Sequence, residues 1–306
     1  MRVFDLHCDT IGECFNQGKS LYKNDLHLDL ERCSKYDSYT QVFAVWIPDE
    51  LRGERALTYF NKVSDFLYKE IEQNNSIISL LGSECNTPVK AVLSLEGGSG
   101  CGGSIEGLYH LYKKGVRLIT LTWNANNEIG AGAFSRGGLT SFGRDFIKVC
   151  DELGVIIDVS HLNRETFKDV LECTKNPVVA SHSNANIVDN YYARHRNLDV
   201  YQIDAIKERG GLIGLNYCTD FIQTDKIGAQ ALAQQFDFFL SHGCENVISL
   251  GSDYDGCEMH TDFCGVEKAE ALYKSIILSG FSQNETDKLF YKNAQGFFTR
   301  KKTCNV

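Results

Sequence analysis

Six histidine and carboxylate side chains stand at the ends of short apolar runs, and their types suit divalent-metal chemistry. They are His7, Asp9, Glu96, His161, His182 and Asp253. Imidazole and carboxylate together are ligands that zinc and similar divalent ions accept. A carboxylate such as that of Glu96 could bridge two ions that share a water molecule, and a further carboxylate, that of Asp253, could then shuttle the proton.

Each of these residues alone indicates little. A single histidine at the end of a strand is more often structural, and a single Asp or Glu there can be a helix cap. His7 and Asp9 form an HxD pair that chance often produces, although residues two apart on a strand do point to the same face. The occurrence of such residues at the ends of five separate runs is much harder to obtain by chance, and it favours a metal site.

Eight short apolar or β-branched runs predict strands, at residues 2–7, 41–47, 91–96, 118–123, 155–161, 177–182, 212–217 and 247–253. Most are almost continuously apolar, as is typical of strands buried on both faces of a parallel sheet. Apolar residues at helical spacing between and after them predict helices at residues 54–74, 141–154, 163–174, 200–211, 229–243, about 268–279 and 282–299.

Eight strand–helix units within about 250 residues predict an α/β fold, a (β/α)8 TIM-type barrel. We expect one domain, residues 1–306, with the C-terminal helices of about 268–299 packed on the barrel. The strand ends of a barrel open on one face, so the six residues would converge there. An open doubly wound sheet is the alternative, but the first strand is not followed by GxGxxG. Length alone also allows two domains.

A glycine-rich segment, residues 97–103, follows the third predicted strand. It does not lead into a helix with a phosphate-binding pattern, so we expect a flexible active-site loop there.

Composition excludes some classes of protein. The net charge of -9 on 306 residues argues against non-specific nucleic-acid binding, which needs a basic surface. Apolar stretches stay well short of the ~20 residues of a membrane span, and the N-terminus lacks a signal-peptide pattern. The 12 cysteines include no CxxC pair, so we expect mostly buried thiols. We predict a cytoplasmic protein that binds neither nucleic acid nor membranes.

At the six residues the sequence resembles the renal or membrane dipeptidase family of zinc metallopeptidases, and in particular its bacterial-type members. The matching segments follow in order over nearly the whole chain: DLHCDT (5–10), SLEGG (94–98), GVRLITLTWNANN (115–127), GVIIDVSHLN (154–163), PVVASHSNA (177–185), RHRNL (194–198), GSDYDG (251–256) and KNAQGFF (292–298). The resemblance implies a barrel of the metallo-dependent hydrolase type with two zinc ions per chain, and it suggests a homodimer.

The resemblance also implies a ligand for each ion. His7 and Asp9 would bind one zinc ion. His161 and His182 would bind the other, and Glu96 would bridge the two. Mn²⁺ or Co²⁺ would suit the same ligands.

On the substrate side, the resemblance assigns Asp253 to the bridging water and the leaving amine. Arg196 would pair with the substrate carboxylate, for which a guanidinium has the right bidentate geometry. The chain departs from the mammalian members at the end of the fourth strand, where their substrate-contacting histidine is replaced by Trp123. Asn124 or Asn126 could then supply the donor to the substrate carbonyl.

The function implied is the hydrolysis of dipeptides, including those with a C-terminal D-residue, by a hydroxide that bridges two zinc ions. The alternative is a metal-dependent amidohydrolase that acts on N-acyl amino acids, lactones or cyclic amides. Many such enzymes use a carboxylated lysine as the bridge, whereas this chain offers Glu96 on the third strand and Trp123 on the fourth. A non-catalytic barrel would be expected to have lost site residues, and all six are present.

Overall fold

The computed structural model describes residues 1–301, in which parallel strands alternate with helices. The strands are β1 (Arg2–Cys8), β2 (Ser38–Trp46), β3 (Ile78–Leu80), β4 (Val89–Glu96), β5 (Leu118–Thr120), β6 (Ile156–Asp158), β7 (Val179–Ala180), β8 (Leu212–Leu215) and β9 (Ile248–Leu250). The α-helices are α1 (Thr10–Gln17), α2 (Leu30–Cys33), α3 (Gly53–Gln73), α4 (Ile105–Lys113), α5 (Ser141–Leu153), α6 (Arg164–Cys173), α7 (Tyr191–Arg196), α8 (Val200–Glu208), α9 (Thr219–Ile222), α10 (Gly228–Ser241), α11 (Ala269–Leu278), α12 (Gln283–Asp287) and α13 (Asn293–Lys301). Short 3-10 turns span Gly98–Cys101 and Val266–Lys268, and a π-helical turn spans Lys288–Lys292.

Eight of the strands close into a ring in the order β1-β2-β4-β5-β6-β7-β8-β9, with β9 paired to β1. A long pairing of β2 with β4, from Tyr39↔Val89 to Trp46↔Glu96, completes the closure. The predicted (β/α)8 barrel is therefore confirmed. The sequence analysis missed β3, which has only three residues and pairs with the first part of β4 outside the ring.

Apolar side chains fill the amino-terminal half of the barrel interior. Seven strands contribute to this layer with Phe4, Leu6, Val42, Val92, Leu118, Ile156, Val179 and Leu212. Ala294, Phe297 and Phe298 of α13 pack against it, and the ring centroids of Phe4 and Phe298 lie 5.0 Å apart. The last helix therefore closes this end of the barrel. The single helix expected at 282–299 is divided by the π-helical turn into α12 and α13.

A β-bulge in β1 directs the first site residues into the barrel. Asp5 pairs with Gln41 of β2, whereas Cys8, three residues later, pairs with Phe43, only two residues further along β2. The extra residue interrupts the alternation of faces that a regular strand would keep. Leu6 packs in the interior layer, and the next residue, His7, also points inward, towards Glu96 at the end of β4.

The glycine-rich segment differs from the expected flexible loop. Gly98–Cys101 forms a buried 3-10 turn beneath the barrel rim. A Cβ atom at Gly98 would lie 2.2 Å from Ile129 Cδ1, and one at Gly100 would lie 2.5 Å from Leu95 Cδ1. The glycines therefore allow close packing of the turn, and the sequence pattern alone does not distinguish this from flexibility.

The eleven cysteines within residues 1–301 are free thiols, and most of them are buried, as expected; Cys304 lies outside the described residues. Residues 1–301 contain no helix that is both long enough and apolar enough to span a bilayer. The cytoplasmic location stays a prediction.

Close backbone contact between neighbouring strands makes Gly214 intolerant of a side chain. A Cβ atom there would lie 1.9 Å from the carbonyl oxygen of Ser181, which belongs to the backbone and cannot rotate away. We expect Gly214→Ala to destabilise the protein by about 3 kcal/mol, at the upper end of overpacking costs. Thermal unfolding should show this as a melting temperature lowered by roughly 6 °C or more.

Gly12→Ala is the matched control for this prediction. Its Cβ atom would meet no atom of residues 1–301 within 4 Å, and the residue lies within α1, where alanine is preferred to glycine. Equal melting temperatures for the two variants would contradict the close contact between the strands.

Candidate metal centre

All six residues singled out from the sequence meet at the carboxyl ends of the barrel strands. They lie in or directly beneath a cavity of about 660 Å³, whose wall includes Asp9, Glu96, His161 and Asp253. His7 and His182 are fully buried below this wall. The cavity has the size of a small-molecule site.

Glu96, the last residue of β4, connects two groups of side chains. Its Oε2 atom lies 3.4 Å from His7 Nε2. Its Oε1 atom lies 3.0 Å from His161 Nε2 and 3.5 Å from His182 Nε2. The carboxylate therefore directs one oxygen to each group, which is the arrangement that a bridging ligand requires.

The first group contains the two acidic neighbours of His7. His7 Nε2 lies 3.5 Å from Asp9 Oδ2 and 3.9 Å from Asp253 Oδ1. Despite these short distances, both ring nitrogens of His7 and Oδ1 of Asp9 are buried without a hydrogen-bond partner among residues 1–301. Buried polar atoms normally have a partner, so these atoms are directed at something other than each other.

The second group consists of two histidines whose Nδ1 atoms are held from behind. His161 Nδ1 lies 3.0 Å from Asn124 Oδ1, and His182 Nδ1 lies 2.7 Å from Ser181 Oγ. The two Nε2 atoms face each other at 2.8 Å beside Glu96. A metal-binding histidine typically has its other ring nitrogen fixed in this way.

Two of the six residues lie in strained backbone. Strand ends were expected at His161, His182 and Asp253, but β6, β7 and β9 stop earlier, at Asp158, Ala180 and Leu250. The two residues in strained backbone are His161 and Asp253. Both residues have φ near 63°, in the left-handed region that side chains other than glycine seldom adopt. Such strain concentrates at functional sites, where surrounding contacts enforce it. Here Thr122 Oγ1 donates a hydrogen bond to the carbonyl oxygen of His161.

Burial and mutual charge shift the pKa values of Asp9, His7 and His182. Burial, with the negative charge of Glu96, raises the pKa of Asp9 to about 8. Burial opposes the charged form of His7, but the negative charges of Glu96 and Asp9 outweigh it and raise the pKa of the imidazole well above its usual range. Burial, with the charge of His7, holds the pKa of His182 well below its usual range. The raised pKa values of Asp9 and His7 reflect in part the negative charge gathered in the cluster, which a bound cation would offset.

The ligand atoms suit metal ions in three overlapping sets. In each set the ligand atoms lie within 4.8 Å of one another. The first set is His7, Asp9 and Glu96, and the second is Glu96, His161 and His182. The third set is His7, His182 and Asp253. The first two share Glu96, so the donor set fits two neighbouring divalent ions with mixed imidazole and carboxylate ligands.

Arg196 lies at the end of α7 and reaches the cavity wall from a buried position. It is 5% exposed, and its Nε atom has no hydrogen-bond partner among the described residues. One terminal nitrogen lies 3.4 Å from the carbonyl oxygen of His182, and the guanidinium lies 5.3 Å from the ring centre of Phe221. A buried guanidinium whose donors are not all paired can bind the carboxylate of a ligand.

The residues considered for the substrate carbonyl occupy different places. Trp123 lines the cavity between Trp46, at a ring distance of 4.9 Å, and His161, at 6.3 Å. Asn124 also lines the cavity, but its Oδ1 atom bonds to His161, so it supports that histidine. Asn126 is exposed and lies off the cavity wall, which makes it unsuitable as the donor considered above.

Three further polar residues near the cluster were not predicted from the sequence: Asp158, Ser181 and Asn216. Asn216 Nδ2 donates a hydrogen bond of 2.9 Å to Asp253 Oδ2. Asp158 and Ser181 lie behind His182 and are fully buried. A signal for Asp158 does exist in the sequence, because it is a charged residue in the middle of the apolar run VIIDVSH.

Known proteins resemble this chain in sequence and in fold. An uncharacterized protein in the pqqA 5′ region of Klebsiella pneumoniae is 32% identical over 215 residues, which cover 66% of this chain and 78% of that protein. A metallopeptidase from Rhodobacter sphaeroides, solved with a phosphinate mimic of the dipeptide L-Ala-D-Ala, has a TM-score of 0.90 at 23% identity and covers 98% of this chain and 99% of its own. The structure of dipeptidase AC, a metallopeptidase of family M19, also has a TM-score of 0.90, at 24% identity and 98% coverage of both chains.

The two structural likenesses, at these identities, establish the fold. The sequence model of the membrane dipeptidase family matches residues 1–303, almost the full length. This match agrees with the motifs that surround the six site residues, and the chain therefore belongs to the membrane dipeptidase family, peptidase family M19.

Proposed function

We propose that the protein is a dipeptidase that works with two zinc ions bound on either side of Glu96. The observation that carries this proposal is the division of the Glu96 carboxylate, with one oxygen beside His7 and the other beside His161 and His182. His7 and Asp9 complete one site, and the two histidines complete the other. The unpartnered Nε2 atom of His7, which faces Asp9 and Glu96, supports this assignment, since an ion among the three residues would satisfy it.

Zinc ions at these positions would supply Lewis acidity, which polarises a peptide carbonyl and lowers the pKa of a water molecule. The protein itself contributes the proton transfer. Asn216 anchors Oδ2 of Asp253, and Oδ1 remains beside the cluster, 3.9 Å from His7 Nε2. These contacts support the proposal that Asp253 takes the proton of the attacking water and gives it to the departing amine.

Arg196 orients the substrate by pairing with its free carboxylate. The guanidinium is buried at the cavity wall and lacks a partner at Nε among residues 1–301, so a carboxylate would complete its hydrogen bonds. A cavity of about 660 Å³ accommodates a dipeptide, with the scissile carbonyl over the cluster and the C-terminal residue towards α7. The dipeptide mimic bound by the Rhodobacter sphaeroides structure has a C-terminal D-residue, and we extend the proposal to such substrates.

The direct test of this function combines metal analysis with a substrate panel. We expect elemental analysis to give two zinc ions per chain, and we expect the loaded enzyme to hydrolyse dipeptides among L,L and L,D pairs. N-acyl amino acids and lactones, assayed in parallel, should be much poorer substrates. A chain that binds two ions and cleaves none of the dipeptides would refute the proposal, and cleavage of the other classes would favour the amidohydrolase alternative.

Asp253→Asn should separate proton transfer from metal binding. The variant keeps the shape of the side chain but cannot accept the proton, so we expect kcat to fall by about 10² to 10⁴ while two ions remain bound. Steady-state kinetics with elemental analysis of the same sample would measure both.

Asp255→Asn is the matched control in the same motif. Asp255 lines the cavity, but its oxygens accept hydrogen bonds from Thr10 Oγ1 at 2.5 Å and from the amide of His27 at 2.8 Å. Weakening of these hydrogen bonds in Asp255→Asn should lower the stability of the protein more than it lowers kcat. Normal turnover by Asp253→Asn would rule out the proton role.

Arg196→Met should abolish the preference for a free C-terminus. Methionine fills similar space without a charge, so we expect kcat/KM for dipeptides to fall by about 100-fold, the cost of losing a buried charged partner. The corresponding dipeptide amides should be poor substrates of both proteins. Equal discrimination between acid and amide in the variant and the parent would show that another group binds the carboxylate.

A further inference from the structure

A chain of hydrogen bonds runs from His182 into the interior of the barrel. His182 Nδ1 lies 2.7 Å from Ser181 Oγ, and Ser181 Oγ lies 2.5 Å from Asp158 Oδ2. Thr120 Oγ1 donates to the same carboxylate oxygen at 2.6 Å. The other oxygen, Oδ1, accepts from the backbone amides of Ser160 and Ser181, each at 3.0 Å. All of these side chains are fully buried or nearly so.

The direction of each bond in this chain follows from the number of protons available. An aspartate carboxylate only accepts hydrogen bonds, so the hydroxyl proton of Ser181 must point to Asp158. Ser181 has a single such proton, so its oxygen can only accept from His182. Neutral His182 must therefore carry its proton on Nδ1, and its Nε2 atom must present a lone pair to the cluster.

We propose, building on the metal centre of the proposed function, that Asp158 and Ser181 are positioning residues that set the tautomer of His182. Asp158 is buried behind the histidine and lies off the cavity wall, so it acts through Ser181 and His182. The role is distinct from simple packing, because it depends on which atom donates. A residue of the same shape with the opposite hydrogen-bond character should reverse it.

Asp158→Asn provides that reversal. The two backbone amides that point to Oδ1 would keep the amide oxygen of Asn in that position. The amide nitrogen would then replace Oδ2 and donate to Ser181 Oγ, so the Ser181 hydroxyl would turn and donate to His182 Nδ1. His182 would carry its proton on Nε2, where it blocks the ion. We expect zinc affinity at this site to fall by about 100-fold, the upper range for such outer contacts.

Ser181→Ala removes the hydroxyl that connects Asp158 to His182, but it does not reverse the direction of any hydrogen bond. His182 Nδ1 would lose its partner, and both tautomers would be populated, so we expect a loss of about tenfold in zinc affinity. The double variant Asp158→Asn/Ser181→Ala should return to the zinc affinity of Ser181→Ala alone. Without the Ser181 hydroxyl, the amide donor introduced at position 158 no longer acts on His182. A merely structural role for Asp158 would instead make the double variant worse than either single variant.

Thr120→Val is the matched structural control. It removes the hydrogen bond to Asp158 Oδ2 from the neighbouring strand but leaves the path to His182 intact. We expect its melting temperature to fall while its zinc affinity stays within about threefold of that of the parent, well below the effect of losing an outer contact of a ligand.

The affinities would be measured by competition of the full-length protein with a chelating indicator for zinc, beside the melting temperature of each variant. The proposal is supported if Asp158→Asn binds zinc more weakly than Ser181→Ala and the double variant regains the affinity of Ser181→Ala. Zinc binding by the parent together with equal affinities for Asp158→Asn and Thr120→Val overturns it but leaves the metal centre standing. Failure of the parent to bind zinc overturns both.

A second measurement does not depend on how the variants fold. Nitrogen-15 chemical shifts of the histidine rings in the zinc-free parent distinguish a protonated from an unprotonated Nδ1. We expect a protonated Nδ1 at His182, and an unprotonated Nδ1 with a proton on Nε2 would overturn the assignment.

Discussion

A carboxylate buried among three imidazoles imposes the main constraint on this protein. Glu96 is 3% exposed, and each of its oxygens lies within 3.5 Å of a histidine nitrogen. Burial favours its neutral form, but the positive charge of His7 and the hydrogen bond from His161 outweigh this and hold the pKa of Glu96 well below its usual range. A buried anion persists only with compensating charge, so the surrounding structure must hold cationic partners in place.

The barrel meets this constraint by a division of its interior into layers. Apolar side chains and α13 close the amino-terminal end. Above them, Thr120, Asp158 and Ser181 form a polar layer in which a second buried carboxylate accepts four hydrogen bonds. The candidate metal ligands follow at the carboxyl ends of the strands. On β6 the polar layer lies two residues beyond the apolar layer, where Ile156 is followed by Asp158, because alternate residues of a strand share a face.

Much of this arrangement could be predicted from sequence, because the period of a buried parallel strand and the residue at its end are both local patterns. The eight barrel strands and the convergence of the six site residues follow from such patterns. Three features depend on contacts between distant segments and do not. The bulge that turns His7 inward depends on pairing with β2, and the left-handed backbone of His161 depends on neighbouring loops. The hydrogen bond between Asn124 and His161 joins the segments that follow β5 and β6. β3 was also not predicted; it lies outside the ring and pairs only with the first part of β4, a placement that depends on a distant segment.

The central claim is that Glu96 divides two metal ions between its oxygens. A crystal of the zinc-loaded protein, measured at the zinc absorption edge, tests it most directly through the anomalous difference map. The account predicts two peaks about 3.5–4 Å apart, one on the side of His7 and Asp9 and one on the side of His161 and His182, with the Glu96 carboxylate between them. A single peak, or two peaks that Glu96 does not contact, would contradict it.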